Sequence, residues 1–171
     1  LSRNSEYYEI TKDILNHEVF MQSKDIRHHE GSIFDHSLEV SFRSYKIAKK
    51  LNLDYRAIAR GALLHDFFLY DWRTKGNRNL KYMRQSHAVS HPRLALENAR
   101  KYFDVSDMEA DIIKKHMFPT TIVPPKYKES WIVTMVDKYY AVKEYQEGFF
   151  NKQSLQLRFY QLQQTLSFIA V

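Results

Sequence analysis

No cysteine occurs in the 171 residues, and only 4 glycines and 4 prolines punctuate them. The missing cysteine excludes a disulfide scaffold, thiolate zinc sites and a cysteine nucleophile. Scarce glycine and proline, with few β-branched runs, argue for helices joined by short connections. No apolar run approaches the ~18–20 residues of a bilayer-spanning helix, so no membrane partner is expected. The start, Leu1-Ser2-Arg3-Asn4-Ser5-Glu6, is not that of a secretory signal. Leu1 in place of methionine suggests a trimmed or engineered start, and a cytoplasmic setting is the expectation. Basic clusters are missing too. Lys and Arg number 26 against 20 Asp and Glu, a net charge of +6, yet no basic run exceeds pairs such as Lys49-Lys50, Arg100-Lys101 and Lys114-Lys115. A nucleic-acid footprint clusters its charge, so nucleic acid is not the expected partner. A small phosphorylated substrate suits this background.

What is present is helical periodicity. The length fits one domain, residues 1–171, that buries most of its apolar surface without disulfides. The expected fold is all-α, a single-domain helical bundle of about six to eight helices. A first helix is predicted from about Asn4 to Met21, with Tyr8, Leu15 and Val19 as core contacts. The polar stretch Gln22 to Gly31, with His28 and His29, reads as a connection. Ser32-Ile33-Phe34-Asp35 offers a helix start, followed by Leu38, Phe42, Tyr45 and Leu51 at helical spacing. Asp54 is a good N-cap for a helix from Tyr55 to about Leu69. Tyr70 to Ala88 reads as a long loop over a site. Ser90-His91-Pro92 is predicted to open the next helix, because proline suits a first turn and disfavours helical geometry before it. Ser106-Asp107-Met108-Glu109 has capping-box spacing for a helix ending near Met117. Pro119, Pro124 and Pro125 predict an extended connection, followed by a helix from about Tyr127 to Gln146. A last amphipathic helix, Lys152 to about Phe168, is expected to pack as a closing element.

The candidate chemistry centres on Leu63-Leu64-His65-Asp66. Neighbouring residues on a helix point about 100° apart, so His65 and Asp66 can converge on one ion only where the helix ends. The pair then offers nitrogen and oxygen donors from one base. His36, His87, His91, His116 and Asp137 are candidates to join it, several of them at places where a helix begins or ends. Each histidine taken alone reads equally as a surface or core residue. The joint pattern is harder to dismiss, since Asp66 and Asp137 both fall in apolar surroundings where a lone carboxylate is costly without a cation.

His36, then His65-Asp66, then Asp137 resemble the H…HD…D signature of the HD-domain superfamily of metal-dependent phosphohydrolases. The resemblance spans about Phe34 to Val142, implying an HD-type core over 34–142 with the terminal helices packed on it. His91-Pro92 and His116 look like the two extra histidines of dinuclear members, which include HD-GYP cyclic-dinucleotide phosphodiesterases and dinucleoside tetraphosphate hydrolases. The continuation His-Asp-Phe-Phe-Leu-Tyr-Asp-Trp is similar to that of a group of bacterial HD proteins. Phe68 and Leu69 stand where HD-GYP members carry Gly and Lys, and Met117 follows His116 where they carry a histidine. These departures argue against cyclic-dinucleotide cleavage, not against a dinuclear centre.

The resemblance implies a ligand set: His36, His65, Asp66 and Asp137 for one ion, His91 and His116 for a second, with Asp66 bridging. Such donors suit Fe, Mn, Zn, Co or Ni better than magnesium. The implied activity is hydrolysis of a phosphomonoester, nucleotide or dinucleotide by a metal-activated water, with His65 and Asp66 at its centre. Two further readings share these ligands: an HD-fold di-iron oxygenase, and a non-catalytic nucleotide-binding module. Substrate-contact candidates are Arg27, Arg43, His87, Arg73 and Lys138, each equally readable as a solvated charge or loop residue. Lys75, Tyr70 and Trp72 are candidates in the same loop, and His17 reads as structural. Association into a homo-oligomer is compatible with the sequence.

Overall fold

In the computed structural model the described residues are 5–28, 31–69, 87–143 and 146. Their architecture is all-α apart from one two-residue ladder. Helix α1 (Ser5–Leu15) and a short α2 (Glu18–Met21) lead through a 3-10 turn, Gln22–Asp25, to β1 (Arg27–His28) and β2 (Gly31–Ser32). The two strands pair antiparallel with Arg27 opposite Ser32. Then come α3 (Ile33–Lys50), α4 (Tyr55–Leu63), α5 (His87–Tyr102) and α6 (Asp107–Lys115). A further helix, α7, covers residues 128–143. No helix among the described residues is long and apolar enough to cross a membrane.

Three helix starts follow directly from local chemistry. The Ser32 hydroxyl accepts the Asp35 amide at 3.1 Å. The Asp54 carboxylate accepts the Arg56 and Ala57 amides at 3.1 and 3.0 Å. Ser106 and Glu109 form the reciprocal capping box that opens α6. Each cap satisfies amides that the first helical turn leaves without a partner.

Several expectations are corrected. The N-terminal helix is not continuous: it breaks at Asn16-His17, where the His17 ring accepts the Val19 amide at 3.2 Å and starts α2. That ring lies against Phe103 and Tyr102, with centroids 4.9 and 5.6 Å away. A long-range aromatic contact thus holds the break, and His17 is structural. Tyr7, not Tyr8, enters the core, and Leu51 is exposed. The α4 helix ends at Leu63, short of Leu69. Helix α5 begins at His87 and runs through Pro92. Pro92 is the sixth residue of this helix, past the four amides that lack internal acceptors, so the helix gives up one internal hydrogen bond there. The chain after α6 is a series of turns, not an extended connection. The predicted helix over 152–168, and the loop calls on Tyr70, Trp72, Arg73, Lys75 and His29, lie outside the described residues.

Two apolar clusters flank α4. One joins Leu63, Leu64, Phe67, Phe34, Ala95 and Ile113, and the other joins Ala62, Ile58, Val40, Ile112, Val133 and Val136. Between α4 and α6 the approach is close. A Cβ added at Gly61 would stand 3.0 Å from Ile112 Cδ1 and 3.1 Å from the Glu109 Cα. One helical turn further on, the rings of His65 and His116 sit 4.9 Å apart. Beside this contact, Arg60 is held by Asp13 of α1 at 2.6 Å and Glu109 of α6 at 3.0 Å. Gly61→Val is therefore expected to push the two helices apart. A loss of about 1–3 kcal/mol is expected from overpacking, read by denaturant unfolding, with weaker metal retention in the same variant. Unchanged stability and unchanged metal content would show that the close approach is not what aligns the two helix ends.

Candidate metal centre

Six buried side chains from five elements converge. His36 comes from the first turn of α3, His65 and Asp66 from the turn after α4, His91 from α5, His116 from the C-cap of α6, and Asp137 from α7. As whole residues none is more than 9% exposed. The separations form a chain. His36 Nε2 lies 3.1 Å from Asp137 Oδ1, and His65 Nε2 lies 3.5 Å from the same oxygen. His65 Nε2 is also 3.7 Å from Asp66 Oδ2. The other Asp66 oxygen, Oδ1, stands 3.3 Å from His91 Nε2 and 3.5 Å from His116 Nε2. His91 and His116 meet Nε2 to Nε2 at 2.9 Å.

Backbone carbonyls set the tautomers of two rings. His65 Nδ1 is 2.7 Å from the Ala62 carbonyl, and His116 Nδ1 is 2.9 Å from the Ile113 carbonyl. Both carbonyls belong to last helical turns, whose acceptors lack the regular helical partner four residues on, although the Ala62 oxygen also takes amides of the closing turn. Each Nδ1–H donates there, leaving Nε2 of the neutral ring as a lone pair aimed inward. For His65 that lone pair faces two carboxylates, which in their charged form can only accept. Accordingly His65 Nε2 is buried without a hydrogen bond among the described residues. Acceptors facing acceptors in a water-poor core require a cation or a proton between them. The donor set fits a divalent transition metal, being imidazole nitrogen and carboxylate oxygen. Metal–nitrogen bonds of ~2.0–2.1 Å are compatible with two imidazoles as close as His91 and His116. The C-terminal ends of α4 and α6 also face the cluster, and their dipoles favour positive charge.

Without metal, protons take over part of this role. Burial works to raise Asp137, but His36 and His65 outweigh it and hold its carboxyl well below the carboxylate range. Asp66 behaves alike: burial raises it, and His65, His91 and His116 together bring it far down. Burial lowers His65, yet Asp66 and Asp137 reverse this and raise it. For His116 burial prevails, and its pKa falls from 6.5 to about 3.

The signs give a pH prediction for the metal-free chain. Below the ordinary histidine value of 6.5 the unfolded chain protonates His116 and the native one does not, so His116 lowers stability as pH falls toward about 3. His65 contributes stability that is full below 6.5 and is lost as pH rises through its raised native value. The two lowered carboxylates withdraw their contribution only when pH falls below the unfolded carboxylate pKa, ~4. Denaturant unfolding in chelator should therefore find a maximum in the cluster's contribution near the ordinary histidine pKa, ~6.5, absent in His65→Ala. A contribution that rises monotonically with pH would contradict this assignment.

Residues 33–142 match the HD domain family. The chain belongs to that family. HD domains are typical of metal-dependent phosphohydrolases, and His36, His65, Asp66 and Asp137, which resemble the H…HD…D signature, are among the residues gathered here. No curated protein and no solved structure matches the chain.

The remaining candidates of this HD domain are placed differently. Lys138, beside Asp137, is half-buried and donates from Nζ to the His116 carbonyl at 3.1 Å, tying α7 to the end of α6. Burial lowers its pKa, with Asp137 opposing. Arg43 is exposed on α3, in the electrostatic reach of Tyr140. The side chains of Arg27, His28 and His87 lie outside the described residues. What the sequence reading missed is the pair of carbonyls, Ala62 and Ile113, that select the tautomers. Their signal was available: His65 and His116 each follow a helix-ending carbonyl by three residues.

Proposed function

We propose that this HD domain is a two-metal phosphohydrolase acting on a small phosphorylated substrate, a phosphomonoester, nucleotide or dinucleotide. On this reading His36, His65, Asp66 and Asp137 hold one ion, and Asp66, His91 and His116 the other. The observation that carries it is the split of Asp66: Oδ2 faces His65 while Oδ1 faces His91 and His116. One carboxylate thus addresses two nitrogen clusters, as a bridging ligand must. When bound, two such ions supply an activated water and neutralise charge on phosphoryl oxygens.

The rest falls to the chain itself. Ala62 and Ile113 hold the His65 and His116 rings with Nε2 turned to the centre. Lys138 keeps the end of α6 against α7. Burial of all six side chains excludes bulk water, which strengthens every electrostatic interaction with a phosphoryl group. No serine or cysteine nucleophile is needed.

The test is metal analysis of protein purified without chelator, joined to a screen of phosphomonoesters, nucleotides and dinucleotides with the reconstituted metals. Hydrolysis that is lost with metal in His65→Ala supports the proposal. Full activity and full metal content in His65→Ala would sink it. Iron with oxygen uptake and no ester hydrolysis would reassign the centre to oxygenase chemistry.

A further inference from the structure

A concavity of about 390 Å³ lies against α5 and α6. Val89 and Pro92 of α5 form one wall, and Ile122 and Val123 of the following connection form another. Among the described residues, Arg93 and Lys114 line it with the only charges besides Lys115, which is engaged by Asp111 at 2.6 Å. Neighbouring helical residues point about 100° apart, so Pro92-Arg93 and Lys114-Lys115 turn away from the side that carries His91 and His116. The concavity therefore backs onto the metal centre without sharing its ligands.

Three features stand unused by the chain's own fold. Ile122 is 92% exposed and Val123 60% exposed, an apolar lip open to water. Arg93 and Lys114 form no ion pair among the described residues. Thr121, also in the lining, has a buried hydroxyl oxygen with no hydrogen-bond partner among them. An apolar pocket with a few converging polar groups is the usual form of a small-molecule site, and its volume lies at the lower end of the usual ~300–1,000 Å³.

From the apolar lip, the two unpaired cations and the unsatisfied hydroxyl set around one concavity, we infer that this pocket binds a small amphipathic organic anion. The apolar body rests on Val89, Pro92, Ile122 and Val123, the anionic head meets Arg93 and Lys114, and Thr121 donates a hydrogen bond. Among the described residues no acidic side chain lines this pocket, and Glu97 shares only the neighbouring concavity with Arg93 and Lys114. This inference does not depend on the phosphohydrolase reading.

Decanoate is a suitable probe, titrated calorimetrically into the full, metal-loaded chain. One equivalent should bind in the micromolar range, with acetate and decanol each weaker by at least about tenfold. Lys114→Glu and Val123→Asp should each weaken decanoate by at least about tenfold. Both positions are exposed, so folding and metal content should stay unchanged. His65→Ala should bind decanoate as the parent does, which separates this pocket from carboxylate capture at the metals. The inference is overturned if decanoate does not bind, if acetate or decanol binds equally well, if neither variant weakens it, or if His65→Ala abolishes it.

Discussion

Asp66→Ala is expected to lower kcat/KM by about 10³-fold or more, a loss of about 4 kcal/mol of transition-state stabilisation, and to empty both halves of the centre. The reason is geometric. Among the described residues Asp66 is the one carboxylate in ion-pair reach of the His91–His116 pair, at 3.3 and 3.5 Å, and its other oxygen reaches His65 at 3.7 Å. Removing it leaves imidazoles alone on one side, and takes one negative charge from a site that must balance dications. Asp137→Ala is the informative partner. Among the described residues the close contacts of Asp137 are with His36 and His65, at 3.1 and 3.5 Å, so its loss should cost one ion and spare the other. Elemental analysis of the two variants, alongside steady-state kinetics, separates them. An Asp66→Ala protein that keeps its metal and its turnover would remove the basis for a bridging role.

Stripping the metal should lower the melting temperature by about 10 °C. A ligand held at 1,000 times its Kd adds about 4 kcal/mol to folding, and for a chain of this size each kcal/mol is worth ~2–4 °C. Part of the loss is recovered because a proton takes the place of metal at His65, whose raised pKa comes from Asp66 and Asp137 overcoming burial. Metal uptake should accordingly release protons and weaken as pH falls. Thermal unfolding with and without chelator, with His65→Ala as the unresponsive control, measures this. Equal melting temperatures for loaded and stripped protein would mean that the buried cluster is satisfied by protons alone.

The helix starts at Ser32, Asp54 and Ser106 were legible because a cap is local chemistry, one side chain serving an amide two or three residues on. The breaks were less so. His17 caps α2 because Phe103 and Tyr102 receive its ring, and residues so distant leave no mark near His17. Tyr7 and Tyr8 exchange roles because one residue along a helix turns the side chain by about 100°, and no pattern around α1 marks the phase. Pro92 misled because its penalty is one hydrogen bond, small against burial of Leu94, Ala95, Leu96 and Ala99 along the same helix. The open lip at Ile122 and Val123 was not anticipated, since exposed apolar residues in a connection look like any others until the walls around them are known.

The order of His36, His65-Asp66 and Asp137, set in helical surroundings, pointed to the family and to a donor set suited to metal, because donor type and helix periodicity are written in the chain. Which atom faces which was decided only by the tertiary fold. His36 and Asp137 are 101 residues apart, and their meeting depends on α3 and α7 packing against the same core. The close approach at Gly61 sets the ends of α4 and α6 side by side, and the last carbonyls of those helices choose the tautomers. Those are consequences of packing and of helix-end acceptors that lack a regular helical partner, and they place Asp66 between two clusters of nitrogen.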